Sequence, residues 1–436
     1  MSGIRLEVKL KQHTPLIHFQ YDQDGASLRA SEVKPKLDRF ILTKLGQTMD
    51  KEQISKGEKE ASKKERNFHQ LNDYEKGCFI AKGIDWLIGK GEKPALDYKL
   101  KFRITEEPQV IDIKKYNKVG KEEPYPLFFG NMKKDPNNPD EYRKFSFLNN
   151  PFKAEFLCYS EDIQKALEEH IADFFMYNNL GTRQSKGFGS FFLDVSERGN
   201  SYYKKPDYKY SFSIAINEKT SLSDGFIELF DTIDLFYRSL RSGINISWGR
   251  EPFYMKPMIF KYAKKEGLQW DKKSIKEVYY PMELRSQQND HENPEILIFS
   301  QDNDSPKYLF KDLLGLSVLE EWKKPYNKKI TKENSEIDRF RSPIIFKPLK
   351  FGNRYFVNIV LEDIPREFLD QNFAVKSNDN GDLSLKTYSK FNIENFIDFA
   401  LNCNLISTLE FRDDEDHPKF KKLKRIYNEL KNIGYE

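Results

Sequence analysis

From Ile4 to Leu10 apolar and polar residues alternate, with Ile4, Leu6, Val8 and Leu10 on one face, the period of a half-buried strand. After "HTPLIHFQYDQDGASLRASEV" the proline at position 35 suits a first helical residue and biases Lys34 toward extended backbone, which predicts a helix from Pro35. In "PKLDRFILTKLG" Leu37, Phe40, Ile41 and Leu45 make its apolar face, and Gly46 offers a stop. The stretch "TMDKEQISKGEKEASKKE" from Thr48 has almost nothing to bury, which predicts a mobile charged insertion over about 47–75. Residues 94–158 read as strands with long connections. A helix follows, capped by Ser160, with Ile163, Leu167, Ile171, Phe174 and Phe175 on one face. It ends at Asn178–Gly181, and Phe188–Val195 is strand-like again.

"SYYKKPDY" reads as a linker, so we expect two domains, 1–205 and 206–436. The second repeats the element order of the first: a strand in "YKYSFSIAIN", a long helix in "SDGFIELFDTIDLFYRSLRSG", a strand pair in "SPIIFKPLKFGNRYFVNIVLED", and helices near 392–401 and 418–433. In the last of these Phe420, Leu423, Ile426, Tyr427 and Leu430 offer an apolar docking side. The fold class expected is α+β.

Composition changes this picture little. Charged residues are 32% of the chain, but 14% aromatics argue for a folded protein. The 72 Lys+Arg nearly balance 68 Asp+Glu, so a polyanion site must come from local clustering. Cys78, Cys158 and Cys403 lie far apart, without zinc-ligand spacing, and read as reduced thiols of a cytoplasmic protein. No run approaches membrane-spanning length, and no metal or cofactor motif is present.

The chemistry concentrates in "NNLGTRQSKGFGSFFLD", residues 178–194. A Walker phosphate loop needs lysine after the last glycine, between a strand and a helix; here Lys186 precedes Gly187 and the order is helix, loop, strand. The dinucleotide fingerprint fails as well, since Phe192 stands where its third glycine belongs. What remains is either a tight turn or a loop whose Arg183, Gln184, Ser185, Lys186 and open backbone amides meet a phosphodiester backbone. Two further basic groups could join it: Arg29, Lys34, Lys36 and Arg39 at the first helix, and Arg238, Arg241 and Arg250 beside Trp248 and Phe253.

"TPL", then "LRASEVKPKLDRFI", then a helix followed by "LGTRQSKGFGSFFL", resembles the pattern of RAMP proteins of CRISPR effector complexes. Arg29, Ser31, Val33, Lys34, Leu37 and Arg39 fit the family's first phrase, and Gly181, Arg183, Gly187 and Gly189 fit its glycine-rich loop. Pro35 stands where the helix-entry glycine usually is. With a long second half that includes "SLRSGIN" and "RSPIIFKP", the chain is similar to the two-domain RAMP subunit that caps the type III-B (Cmr) effector filament.

That resemblance implies two ferredoxin-like (βαββαβ, RRM-like) modules with long insertions. It implies a non-catalytic subunit of an antiviral ribonucleoprotein that binds guide RNA and target RNA near the guide 3′ end, with other RAMP subunits as partners. The implied RNA-binding residues are Arg29, Lys34, Lys36, Arg39, Gly181, Arg183, Gln184, Ser185, Lys186, Gly187, Phe188, Gly189, Arg241 and Arg250. Two alternatives stand beside it. One is an endoribonuclease using His13 and His18, or a metal on Asp22 or Asp24; the other is a protein-docking adaptor.

Overall fold

The N-terminal alternation forms β1 (Ile4–Gln12), with Leu6, Val8 and Leu10 buried and Arg5, Glu7 and Lys9 exposed between them. The computed structural model describes residues 3–17, 27–88, 94–111, 114–116, 122–124, 145–194, 207–246, 253–279, 306–322, 328–377, 380–409 and 412–432.

α1 runs Ala30–Gln47, starting more than a turn before the proline that the sequence suggested as its first residue. Pro35 lies inside it and forfeits one backbone hydrogen bond. Burial of Val33, Leu37, Ile41, Leu42 and Leu45 outweighs that loss. Gly46 is not a stop. It is buried within α1, where an added Cβ would fall 1.8 Å from the Asp73 carbonyl oxygen, so it lets a neighbouring helix approach backbone to backbone.

The segment expected as a mobile insertion is helical. α2 (Lys51–Ser62) opens on a capping box in which the Asp50 carboxylate accepts from the Gln53 amide and the Gln53 side chain accepts from the Asp50 amide. α3 (Asp73–Gly83) repeats the device with Asn72 and Glu75. A low apolar count misleads here because the buried face includes the small residues Gly57 and Ala61, and Gly57 lies directly against Phe68 and Ile80.

β2 (Tyr98–Arg103), β3 (Phe152–Cys158), α4 (Glu161–Tyr177) and β4 (Phe191–Leu193) follow. With β1 the strands form an antiparallel sheet in the order β2-β3-β1-β4. Leu10 lies opposite both Phe152 and Leu193, and Tyr98 opposite Cys158. The expected face of α4 is buried as read, under its Ser160 cap.

The chain continues through β5 (Ser211–Ala215), α5 (Leu222–Arg241), α6 (Met258–Lys265), α7 (Asp271–Tyr279), β6 (Leu319–Trp322), β7 (Lys328–Glu333), β8 (Ile344–Phe351), β9 (Arg354–Leu361), β10 (Asn372–Ser377), β11 (Asn380–Thr387), α8 (Ile393–Asn402) and α9 (Pro418–Asn432). Tyr308–Leu309, β11, β10, β7 and β6 make a five-stranded sheet in that order, and β8-β9-β5 a three-stranded one. The apolar side of α9 is buried through Phe420, Leu423, Ile426, Tyr427 and Leu430.

Two compact units result. The first is Met1–Tyr208 with Ile214–Leu229 and Lys347–Asn358; the second is Lys209–Ser213, Phe230–Phe346 and Ile359–Glu436. α5, β5, β8 and β9 therefore change unit along their length, and 347–358 serves the first unit from far downstream. Most of the expected linker at 201–208 lies outside the described residues. The mixed α/β character follows from these elements. Cys78, Cys158 and Cys403 are free thiols. Among the described residues no helix is long and apolar enough to cross a membrane, and no cluster of His, Cys, Asp or Glu could hold a metal ion.

Candidate nucleic-acid interface

Between α4 and β4 the backbone enters the left-handed region four times, at Gly181 (φ 76°), Arg183 (φ 59°), Gly187 (φ 89°) and Gly189 (φ 65°). Two of the glycines are also needed for space. A Cβ at Gly189 would lie 1.9 Å from the Leu180 carbonyl oxygen, and one at Gly181 would lie 2.5 Å from Leu16 Cδ1 and 2.7 Å from the Ile17 carbonyl oxygen. Arg183 has a side chain where glycine would fit best, so the loop bears a strained backbone at its arginine.

The scaffold of the loop comes partly from within it and partly from the preceding segment at Thr14–Ile17. The Leu180 amide donates to the Gly189 carbonyl (2.9 Å), Thr182 to Ile17 (2.9 Å), Gly189 to Pro15 (2.8 Å), and Gly187 to Gln184 (3.2 Å). Thr14 braces it from the preceding "TPL": its hydroxyl donates to the Gly187 carbonyl at 2.7 Å and accepts from the Ser190 amide at 2.9 Å. The expectation of open backbone amides is thus corrected, since the Leu180, Gly181, Thr182, Lys186, Gly187 and Gly189 amides are already bonded, within the loop or to Pro15, Ile17 and Glu32. Gln184 is likewise a brace, donating to the Gly181 carbonyl and accepting at its own carbonyl from Asn179. Phe188 is fully buried and stacked on Phe145 at 5.7 Å, which removes it as a surface for bases. Arg183, Ser185 and Lys186 are half-buried, and Arg183 Nε and Lys186 Nζ are themselves shielded from solvent.

One bond ties the loop to α1. The Gly181 amide donates to Glu32 Oε1 at 2.8 Å. Arg29, three residues before Glu32, and Lys36, four after it, share that side of the helix, and Arg39 continues the row. The structure so places the side of α1 that carries Arg29 and Lys36 against the glycine loop, by way of an acidic residue that the sequence reading did not single out. Arg39 lies over the Tyr74 ring, 4.6 Å from its centre.

Lys34 does not belong to this row. It sits on the far side of α1, where Nζ donates to Asp38 Oδ2 (2.7 Å) and the Leu96 carbonyl (2.8 Å) above the Tyr98 ring. Burial raises the Asp38 carboxyl, and Lys34 opposes that rise. Its role is structural, and the helical period is the reason: position 34 faces opposite Glu32.

Arg241 is also corrected. It donates to the Gly315 carbonyl at 2.6 Å within a buried charge network of the second unit. There Lys332 lies 2.5 Å from Asp312 and 3.0 Å from Glu320, and Lys311 bonds Glu320 too. Burial opposes the Lys332 charge, but Asp312 and Glu320 outweigh it and hold the ammonium above its usual range. Lys311 is pulled down by burial to about 8. Phe253 is buried and stacked on His417. Arg250 and Trp248 lie outside the described residues.

Of the nuclease residues, His13 is buried, with Nδ1 accepting from the Lys350 amide at 2.8 Å. Burial, with Lys347 nearby, lowers its pKa to about 3, so the ring is neutral at physiological pH and closed to an incoming ribose. His18, Asp22 and Asp24 lie outside the described residues.

The sequence reading also missed Lys347, which is fully buried and touches both ends of the glycine loop. Its only local signal is a lysine inside the apolar run "PIIFKPL".

Comparison with known families completes these observations. Residues 3–244 match the family model described as the Cmr1 N-terminal domain, and residues 254–425 match the Cmr1 C-terminal domain. A search of curated proteins finds no match.

Proposed function

Because this chain belongs to the Cmr1 family, and so is a subunit of a multi-subunit type III-B CRISPR Cmr complex, we propose that it is a non-catalytic RNA-binding subunit. In this reading it caps the effector filament near the guide 3′ end, in antiviral defence, and helps to hold target RNA against guide RNA. Base pairing supplies sequence, and the protein supplies phosphate contacts and shape.

The observation that carries the proposal is the pairing of the glycine loop with α1 through the Gly181–Glu32 bond. It aligns Arg183 and Lys186 with Arg29, Lys36 and Arg39 in one unit, on a backbone too constrained to be an idle turn. The strained φ of Arg183 points the same way, since such a residue persists where its side chain is put to use. The strand order β2-β3-β1-β4, all antiparallel, with α1 after the first strand and α4 after the third, supports a ferredoxin-like reading of the first unit. The burial of His13 weighs against the histidine nuclease.

Replacing Arg183 and Lys186 together by alanine is expected to weaken single-stranded RNA binding on the order of tenfold. If each removes one phosphate contact, the slope of log K against log salt becomes shallower by about 1.4. Affinity and slope both unchanged in a titration over several salt concentrations would remove the loop from the interface and favour a protein-docking role. RNA cleavage by the purified chain would overturn the non-catalytic reading.

A further inference from the structure

Lys347 lies at the middle of β8, fully buried, with its amine aimed at two carbonyl oxygens that belong to neither of its neighbours in the chain. Nζ donates to the Asn178 carbonyl at 2.8 Å and to the Phe191 carbonyl at 2.9 Å. Asn178 is the C-terminal cap of α4, and Phe191 is the first residue of β4. These are the points where the backbone enters and leaves the glycine loop.

Both contacts have a physical reason. The last carbonyls of a helix have no partner within it and carry the negative end of the dipole, so a donor at Asn178 meets a real need. A lysine stem is long enough to cross the strand surface and place one nitrogen between two segments. Burial holds the Lys347 amine well below its usual range, and its hydrogens are directed at the two carbonyls.

Neighbouring residues of the same strand extend the contact. The Ser190 hydroxyl donates to the Pro348 carbonyl at 2.7 Å. The Lys350 amide donates to His13 Nδ1, and the His13 amide donates in turn to the Ser190 carbonyl at 2.8 Å. Asn358, on β9, donates to the Lys347 carbonyl at 3.0 Å and holds the strand that carries the lysine.

We infer that Lys347 is a positioning residue for RNA binding: it clamps the two ends of the glycine loop and thereby sets where Arg183 and Lys186 stand, without touching RNA itself. The inference rests on the RNA-binding reading of that loop. It adds that the site is composite, since its basic loop lies at residues 178–191 and its clamp more than 150 residues further along the chain.

The test uses the full chain with Lys347→Met, which keeps the stem and removes the donor. Hydrogen exchange measured by mass spectrometry over residues 178–191, and affinity for a single-stranded RNA oligonucleotide across a salt series, are the two readouts. We expect exchange at the Leu180, Thr182, Gly187 and Gly189 amides to rise tenfold or more, while distant peptides keep wild-type rates. RNA affinity falls about tenfold with the salt slope of the wild type, because no phosphate contact has been removed. Arg183→Ala, in contrast, makes the slope shallower and leaves loop exchange as it was.

Unchanged loop exchange in Lys347→Met would overturn the clamp. A shallower salt slope would overturn it too, by making Lys347 a phosphate ligand. If Lys347→Met raises exchange throughout the chain, Ser190→Ala serves in its place, with a local rise of about threefold expected and none being a refutation. Failure of the wild-type protein to bind RNA would sink the RNA reading, and the exchange measurement would still decide whether Lys347 holds the loop.

Discussion

Arg183 joins two properties that usually exclude each other: it carries the loop's arginine, proposed above as a phosphate ligand, and its backbone is left-handed. A non-glycine residue pays roughly 1–2 kcal/mol for that conformation. Arg183→Gly should therefore stabilise the fold, by up to about 1 kcal/mol after the greater unfolded-state entropy of glycine is counted, while weakening RNA binding. Thermal unfolding and an RNA titration on the same preparation check both halves, and a variant that binds as well as wild type would show that the strain serves something else. Arginine and glycine were both legible in the loop sequence, but strain was not, because the same residues in an ordinary turn would read alike. Phe188 and Gln184 illustrate the complementary limit. Each lies in the right motif, yet one is packed on Phe145 and the other is bonded across its own loop.

Elements were easiest to read where large apolar residues repeat, as on α4, and hardest where a helix packs through its smallest residues. α1 and α3 touch backbone to backbone: a Cβ at Gly77 would lie 1.7 Å from the Leu42 carbonyl oxygen, matching the approach of Gly46 to Asp73. Gly77→Ala is expected to cost about 3 kcal/mol, since backbone cannot yield as a side-chain tip can. A urea midpoint lowered at constant m would register it; an unchanged midpoint would mean that the helices separate freely. The same small-residue face explains why α2 looked like a loop. Its capping box was present in the letters, Asp50 with Gln53, and is the local signal that outweighs a low count of apolar residues.

Across the whole molecule, chain order and structural unit do not coincide. Residues 347–358 belong to the first unit, where Tyr355 packs on Phe226 and Lys347 holds the loop. A fragment ending at residue 244 contains the whole N-terminal family match but lacks this hairpin. Such a fragment should lose cooperative thermal unfolding, followed by near-UV circular dichroism; a sharp transition like that of the full chain would show the hairpin to be dispensable. By itself the sequence determined the strand at β1, the face of α4, the glycine loop and its departure from nucleotide cradles, and the family, because these rest on periodicity and spacing along the chain. Only the tertiary structure decided which cations turn inward. Lys34 and Arg241 turn inward, and Lys347 reaches carbonyls more than 150 residues away in sequence. Burial of a charged side chain depends on partners that no local window contains.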